Sequence, residues 1–246
     1  MDRMIYVAMS GANQTQLAQT INNHNLANVN TAGFRADLEA MRAMPLFGPG
    51  FPTRVYAMAE RPGVDLSAGT VTTTGRELDI AVNGDGWIAV QAPDGTEAYT
   101  RAGDLRVTTA GQLVTGAGHA VMGTGGPIAI PPSEKIEIGG DGTITLRPLG
   151  QSAATLATAD QIKLVNPPKE MLQKGPDGLF RLKDGSPAPA DPNVRIQTGS
   201  LESSNVSAVD AMVTMITLAR QYEMQVRMMR IAEDNDAAAA EIVRLG

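Results

Sequence analysis

The sequence predicts an α+β fold. Discontinuous N- and C-terminal helices pack as a coiled-coil-like pair, and a central antiparallel β-rich domain, sandwich- or barrel-like, lies between them in the chain. Three observations predict this. All 15 prolines lie between Pro45 and Pro192, and 23 of the 26 glycines lie between Gly48 and Gly199, so the strongest helix breakers are confined to the middle. The two ends carry apolar residues at helical spacing. The middle carries short apolar runs separated by Asn-Gly and Asp-Gly pairs, the punctuation of antiparallel strands. No strand alternates with a long helix, which argues against a doubly wound sheet.

In the N-terminal segment Val7, Leu17 and Ile21 share a face, with Met4 and Ala8 beside it. The stripe is thin, because Ser10, Gly11, Ala12, Gln14 and Ala18 fill much of the rest. The segment then enters a patch of five asparagines, Asn22, Asn23, Asn25, Asn28 and Asn30. Asn side chains compete with the helical backbone for hydrogen bonds, so the patch reads either as a fraying helix end or as amides that fix register in a helix seam. Gly33 is a plausible stop. Residues 41–75, with Pro45, Pro49, Pro52 and Pro62, read as an extended connector.

The run Leu78–Val82, the turn Asn83-Gly84-Asp85-Gly86 and the run Trp87–Val90 predict a β-hairpin. Further strands are expected at 97–101, 104–108, 119–122, 127–130, 135–138, 143–146, 161–165, 179–182 and 194–198. The C-terminal segment is the clearer helix. Ser207-Ala-Val-Asp210 has the form of a capping box, with Asn205 as a competing cap. A heptad frame places Met212, Ala219, Val226, Glu233 and Ala240 at one seam position and Met215, Tyr222, Met229, Asp236 and Val243 at the other. The expected organisation is a helical assembly domain (1–40 with 200–246), a connector (41–75) and a β-rich body (76–199).

Composition narrows the function. Formal charge is −6 and the isoelectric point is near 5.0, so no excess of cations exists for generic nucleic-acid binding. There are no cysteines and two histidines, His24 and His119, which excludes disulfides, thiolate nucleophiles and cysteine-based metal sites. No apolar run is long enough to span a membrane, and the first dozen residues lack the pattern of a secretory leader. The Asn83–Gly86 turn departs from a calcium loop, and Gly123-Thr-Gly125-Gly126 lacks the Lys-Ser/Thr of a phosphate loop. Glu77 and Asp79 are spaced to share a strand face, although strand-entry polarity explains them more simply. Neither histidine has a partner at metal-ligand spacing in the sequence, the methionines of the C-terminal segment read as packing residues, and Trp87 reads as an anchor of the body core.

Three motifs carry a family resemblance. Asn25-Leu-Ala-Asn28-Val-Asn30-Thr-Ala-Gly33-Phe34-Arg35 resembles the N-terminal signature of the bacterial flagellar axial proteins, the rod and hook group. Gly199-Ser-Leu201-Glu202-Ser-Ser-Asn205-Val206, continued by Met212, Met215, Arg220 and Tyr222, resembles their C-terminal signature. Leu78 to Trp87 and Tyr99-Thr-Arg101-Ala-Gly103 resemble their body motif. Within the group, the start of the chain and Pro52-Thr-Arg54 resemble the proximal rod branch, with distal rod and hook-type proteins as neighbours.

The resemblance implies a structural subunit without catalysis, cofactor or metal. It implies export without a cleaved leader, a site in the basal-body rod, and partnership with copies of itself, other proximal and distal rod proteins, the rod cap and the export apparatus. Assembly residues carried by the helical stripes and motifs are Leu17, Ile21, Asn25, Asn28, Gly33, Phe34, Leu201, Asn205, Val206, Met212, Met215, Ala219, Tyr222, Val226 and Met229. Two other classes stay open on the residues alone: a β-rich binding or adhesion module on a helical stalk, and a hydrolase using His119 or the Glu77/Asp79 pair.

Overall fold

The structure is a computed structural model that describes residues 4–45, 55–60, 63–148 and 157–245. The chain divides into two compact units, one of residues 1–27, 37–65 and 206–246, the other of residues 28–36 and 66–205.

The first unit holds helix α1 (Met4–Ala27), strands β1 (Ala40–Pro45) and β2 (Val55–Glu60), and the C-terminal helix, called α2 here (Ala208–Leu245). α1 buries Ala8, Ala12, Thr15, Ala18 and Ile21. These are mostly small side chains, so α2 can approach closely. A Cβ placed on Gly11 would stand 2.9 Å from the Gln225 side chain. Ser207 caps α2, its Oγ accepting the Asp210 amide at 3.4 Å and its carbonyl accepting the Ala211 amide at 3.0 Å. The helix runs 38 residues, about 57 Å, far beyond what propensity alone holds.

The seam of α2 lies one residue from the expected frame on one side. Ala211, Leu218 and Ala232 are buried and Gln225 is half-buried, while Met212 and Glu233 are exposed. The other seam position follows the expected spacing at Met215, Met229 and Asp236, each half-buried. Close approach to a small-residue helix explains the shift, because Ala211 and Ala232 fit where Met212 and Glu233 do not. Asn22 Nδ2 also donates to the Ala211 carbonyl at 2.8 Å, which fixes α1 against α2 in register. The Val243 side chain lies outside the described residues.

β1 and β2 pair antiparallel from Ala40↔Glu60 to Pro45↔Val55. The segment read as an extended connector thus contains a two-stranded ladder. Pro49, Pro52, Arg54 and Pro62 fall outside the described residues.

The second unit is the β-rich body. In chain order its strands are β3 (Val71–Thr73), β4 (Ile80–Asn83), β5 (Trp87–Gln91), β6 (Glu97–Thr100), β7 (Leu105–Val107), β8 (Leu113–Thr115), β9 (Ala120–Val121), β10 (Ser133–Ile138), β11 (Thr143–Pro148), β12 (Ala157–Gln161), β13 (Leu164–Val165), β14 (Leu172–Lys174), β15 (Phe180–Leu182), β16 (Arg195–Thr198) and β17 (Ser200–Glu202). The main sheet runs β14-β15-β6-β5-β9-β8-β7, with β13 also on β5. A second sheet is β10-β11-β12, and β16-β4 and β17-β3 form two-stranded ladders. Every pairing is antiparallel. No closed barrel forms among the described residues. Ile80, Ile88, Val90, Leu105, Leu113 and Ile144 centre one continuous core.

The expected hairpin across Asn83–Gly86 does not form. β4 pairs with β16, and β5 pairs with β6, β9 and β13. Four of the five β5 residues are buried, so the strand needs neighbours on both edges, and the turn carries the chain from one sheet into another. Gly86, at φ +138°, lets Val194 pack close, since a Cβ there would meet the Val194 side chain at 2.6 Å. Residues 127–130 make isolated bridges in place of the expected strand.

Candidate functional site

The body gathers charge where a core is normally apolar. The Arg35 side chain is 0% exposed, Glu202 is 1% and Arg101 is 6%. Glu202 Oε1 accepts from Arg35 Nη2 at 2.5 Å and from the Gly69 amide at 2.9 Å, and Oε2 accepts from Arg101 Nη1 at 3.0 Å. Arg101 Nη2 donates to the Gly84 carbonyl at 2.7 Å. Two guanidinium groups on one carboxylate leave a buried positive charge. Trp87 offers its ring to both, with the guanidinium carbons 5.9 Å (Arg35) and 5.3 Å (Arg101) from its centroid. Phe180 backs the indole at 4.5 Å. Burial lowers the Arg101 pKa from its ordinary value, the Glu202 charge opposes that shift, and the Arg35 charge adds to it.

Trp87 is the body anchor the sequence suggests. The three charged residues around it, Arg35, Arg101 and Glu202, were not among the expected functional residues, although each sits in one of the three family-like motifs. Arg35 and Glu202 are the single charges of the runs Asn25–Arg35 and Gly199–Val206 and have opposite signs, whereas the body motif carries Asp79 and Asp85 beside Arg101, so no comparable signal marks it.

Of the expected assembly residues in this unit, Gly33, Phe34 and Asn205 lie beside these charges. Gly33 adopts φ +66°, and a Cβ there would stand 2.2 Å from the Arg101 carbonyl carbon, so no other residue fits. Phe34 is buried, with Lys174 Nζ 4.1 Å from its ring centroid. Leu201 pairs with Thr72 in the β17–β3 ladder. The Asn205 side chain accepts the Ala36 amide at 2.8 Å and donates to the Ser67 carbonyl at 3.2 Å. Asn28 Oδ1 accepts from the Thr31 hydroxyl at 3.1 Å.

In the first unit, Asn25 exchanges two hydrogen bonds with the Asp37 backbone, each 2.9 Å. His24 Nδ1 stands 2.9 Å from Asp37 Oδ2. Asn22 and Asn25 are therefore fixed tertiary bonds rather than a frayed end. Ile21 is buried and Leu17 is exposed; Val206, Met215, Ala219, Val226 and Met229 are half-buried; Met212 and Tyr222 are exposed.

α2 carries a second apolar stripe. Val209, Val213, Ile216, Met224, Met228 and Ile231 are 36–71% exposed. At 3.6 residues per turn they centre about 150° around the helix from the seam on α1. The exposed Arg220 and Arg227 project from the same face and interrupt the stripe, which among the described residues faces solvent.

The residues weighed for catalysis are not assembled for it. Asp79 is buried and accepts from the Thr74 hydroxyl at 2.6 Å, whereas Glu77 is exposed and 3.7 Å from Lys135 Nζ. His119 is held through its backbone by Thr115. Among the described residues no group of histidines and carboxylates is placed to hold a metal, and no helix is long and apolar enough to cross a membrane.

Tyr99 shows how the body secures a loop. Its buried hydroxyl accepts the Ala188 amide at 2.6 Å and donates to Glu97 Oε1 at 3.1 Å, and Lys163 Nζ holds Glu97 at 2.8 Å. Burial, with the Glu97 charge adding, pushes the phenol from 10.0 up to about 12. The folded state keeps this proton where the unfolded chain has lost it, so the Tyr99 contribution is intact below pH 10 and is lost as pH rises toward 12. Urea midpoints measured between pH 8 and 11 are expected to fall in the native protein and to fall less steeply in Tyr99→Phe. Parallel profiles would contradict this.

Comparisons with known proteins decide the family. Residues 5–35 match the family model described as flagella basal body rod protein, residues 81–146 the flagellar hook protein FlgE/F/G D1 domain, and residues 197–242 the flagellar basal body rod FlgEFG protein C-terminal. The chain is 44% identical, over the full length of both, to flagellar basal-body rod protein FlgF of Escherichia coli (strain K12). It is 43% identical over the same coverage to FlgF of Salmonella typhimurium, and 30% identical over 99% of its length and 98% of the relative's to FlgG of Bacillus subtilis.

The chain belongs to the flagellar basal-body rod proteins.

It is thus a structural subunit of the rod, located in the flagellar basal body. The three matched regions contain the three charged residues around Trp87: Arg35 in the first, Arg101 in the second and Glu202 in the third.

Proposed function

We propose that this subunit stands in the proximal part of the rod and polymerises through its terminal helices with copies of itself and with other proximal and distal rod proteins, under the rod cap. The resulting shaft carries torque and the chain performs no catalysis. The subunit leaves the cytoplasm through the flagellar export apparatus without a cleaved leader. The observation that carries the reading is the outward apolar stripe of α2 from Val209 to Ile231. Its length along the helix suits a neighbouring helix rather than a small ligand. The full-length identity to proteins named FlgF supports the proximal position.

The test is a chromosomal deletion followed by purification of basal bodies. The expected result is non-motile cells whose basal bodies stop before the distal rod, with both defects restored by the native gene. Complete rods and normal swimming in the deletion strain would contradict the reading.

A further inference from the structure

The chain passes between the two units after residues 27, 36, 65 and 205. Three of these four passages are tied to two neighbouring side chains. Glu202 accepts from Arg35 and from Gly69 through Oε1, and its carbonyl accepts the Gly33 amide at 2.8 Å. Asn205 accepts the Ala36 amide, donates to the Ser67 carbonyl, and gives its own amide to the Phe34 carbonyl at 3.3 Å. Residues 33–36, 67–69 and 202–205 are thereby stitched side by side. The packing leaves no slack: a Cβ on Gly69 would stand 2.0 Å from the Ser203 carbonyl oxygen. Arg101 ties the same carboxylate to the main sheet through its own position after β6.

This is an expensive way to hold three chain segments. Arg35 Nε, Arg35 Nη1 and Arg101 Nε are buried and have no hydrogen-bond partner among the described residues. Buried ion clusters add little net stability compared with apolar packing of the same volume, and their best-attested use is to specify one arrangement. Hydrogen bonds to a single carboxylate are directional where apolar contacts are not, so the three passages have one solution for their mutual register.

We propose that Glu202 and Asn205 form a collar that makes the three passages one cooperative element, ordering and releasing together. Glu202 is its positioning residue: it acts by fixing the segments that lead to both helices, not by touching a partner. The device is a property of the single chain and stands or falls independently of the assembly described above.

Amide hydrogen exchange on the full-length protein tests it. In Glu202→Gln the amides of Gly33, Ala36, Gly69 and Asn205 are expected to accelerate together by about tenfold to a hundredfold, the range set by losing a charged hydrogen bond. The amides of Ala89 and Leu113, held in the main sheet by Lys163 and Ile128, are expected to rise by a clearly smaller factor, the part due to the lower stability of the body as a whole. Acceleration of Gly69 alone would overturn the collar, and so would an equal rise at Ala89 and Leu113, which would mark a global loss of stability. If Glu202→Gln does not fold, Asn205→Ala gives the same reading. Gly33 and Gly69, which it does not contact by side chain, are expected to accelerate with Ala36, and acceleration of Ala36 alone overturns the proposal.

Discussion

Glu202→Leu is expected to destabilise the protein by about 3–5 kcal/mol, because it leaves two buried guanidinium groups without their carboxylate. The loss exceeds that of a lost hydrogen bond because Arg35 and Arg101 then repel each other, with Trp87, backbone carbonyls and the Asp85 charge left to answer them. The triple substitution Arg35→Met, Arg101→Met, Glu202→Leu removes every charge at once. It is expected to recover most of the loss in urea unfolding, since apolar side chains of similar size fill the site without desolvating an ion. A triple variant as unstable as the single one would mean that the cluster stabilises the body by more than pairing, and the account of it as a specifying element would be wrong.

The second large effect concerns α2. Ile216→Asp combined with Met224→Asp places two carboxylates on the outward stripe, where both native side chains are more than half exposed. In the isolated chain the substitutions bury nothing, so thermal unfolding of the purified protein is expected to stay within about 0.5 kcal/mol of native. On the proposed assembly the same charges enter a helix–helix contact in the cell, and each unpaired buried carboxylate opposes assembly strongly. Swimming is expected to be abolished at normal protein levels. Met215→Asp, on the seam toward α1, is expected to differ by lowering the stability of the isolated chain as well.

The residues legible in the sequence were those whose message is local. The confinement of proline and glycine marks where helices stop, so the helix–body–helix order could be read directly. Ser207 announces the start of α2 by its own capping chemistry. Periodicity placed Met215 and Met229 on the inner face, but it could not choose between Ala211 and Met212, because that choice depends on how closely a small-residue helix approaches from 189 positions away. The turn at Asn83–Gly86 was visible as a turn. Whether its two strands pair with each other or join different sheets depends on β16, more than 100 residues later. The charged collar was the least legible feature. Arg35 and Glu202 are 167 positions apart, and each taken alone reads as a surface charge. Only the fold shows that they share one buried site.

On the proposed assembly the outward stripe of α2 becomes covered in the rod. The chain has no cysteine, so Ile216→Cys introduces a single thiol on that stripe. Maleimide labelling of this variant, as isolated chain and in purified basal bodies of swimming cells, measures the claim directly. Rapid labelling of the isolated chain, strong protection in basal bodies, and renewed labelling after the rods are dissociated are the predicted result. Equal labelling in the assembled rod and in the isolated chain would contradict it.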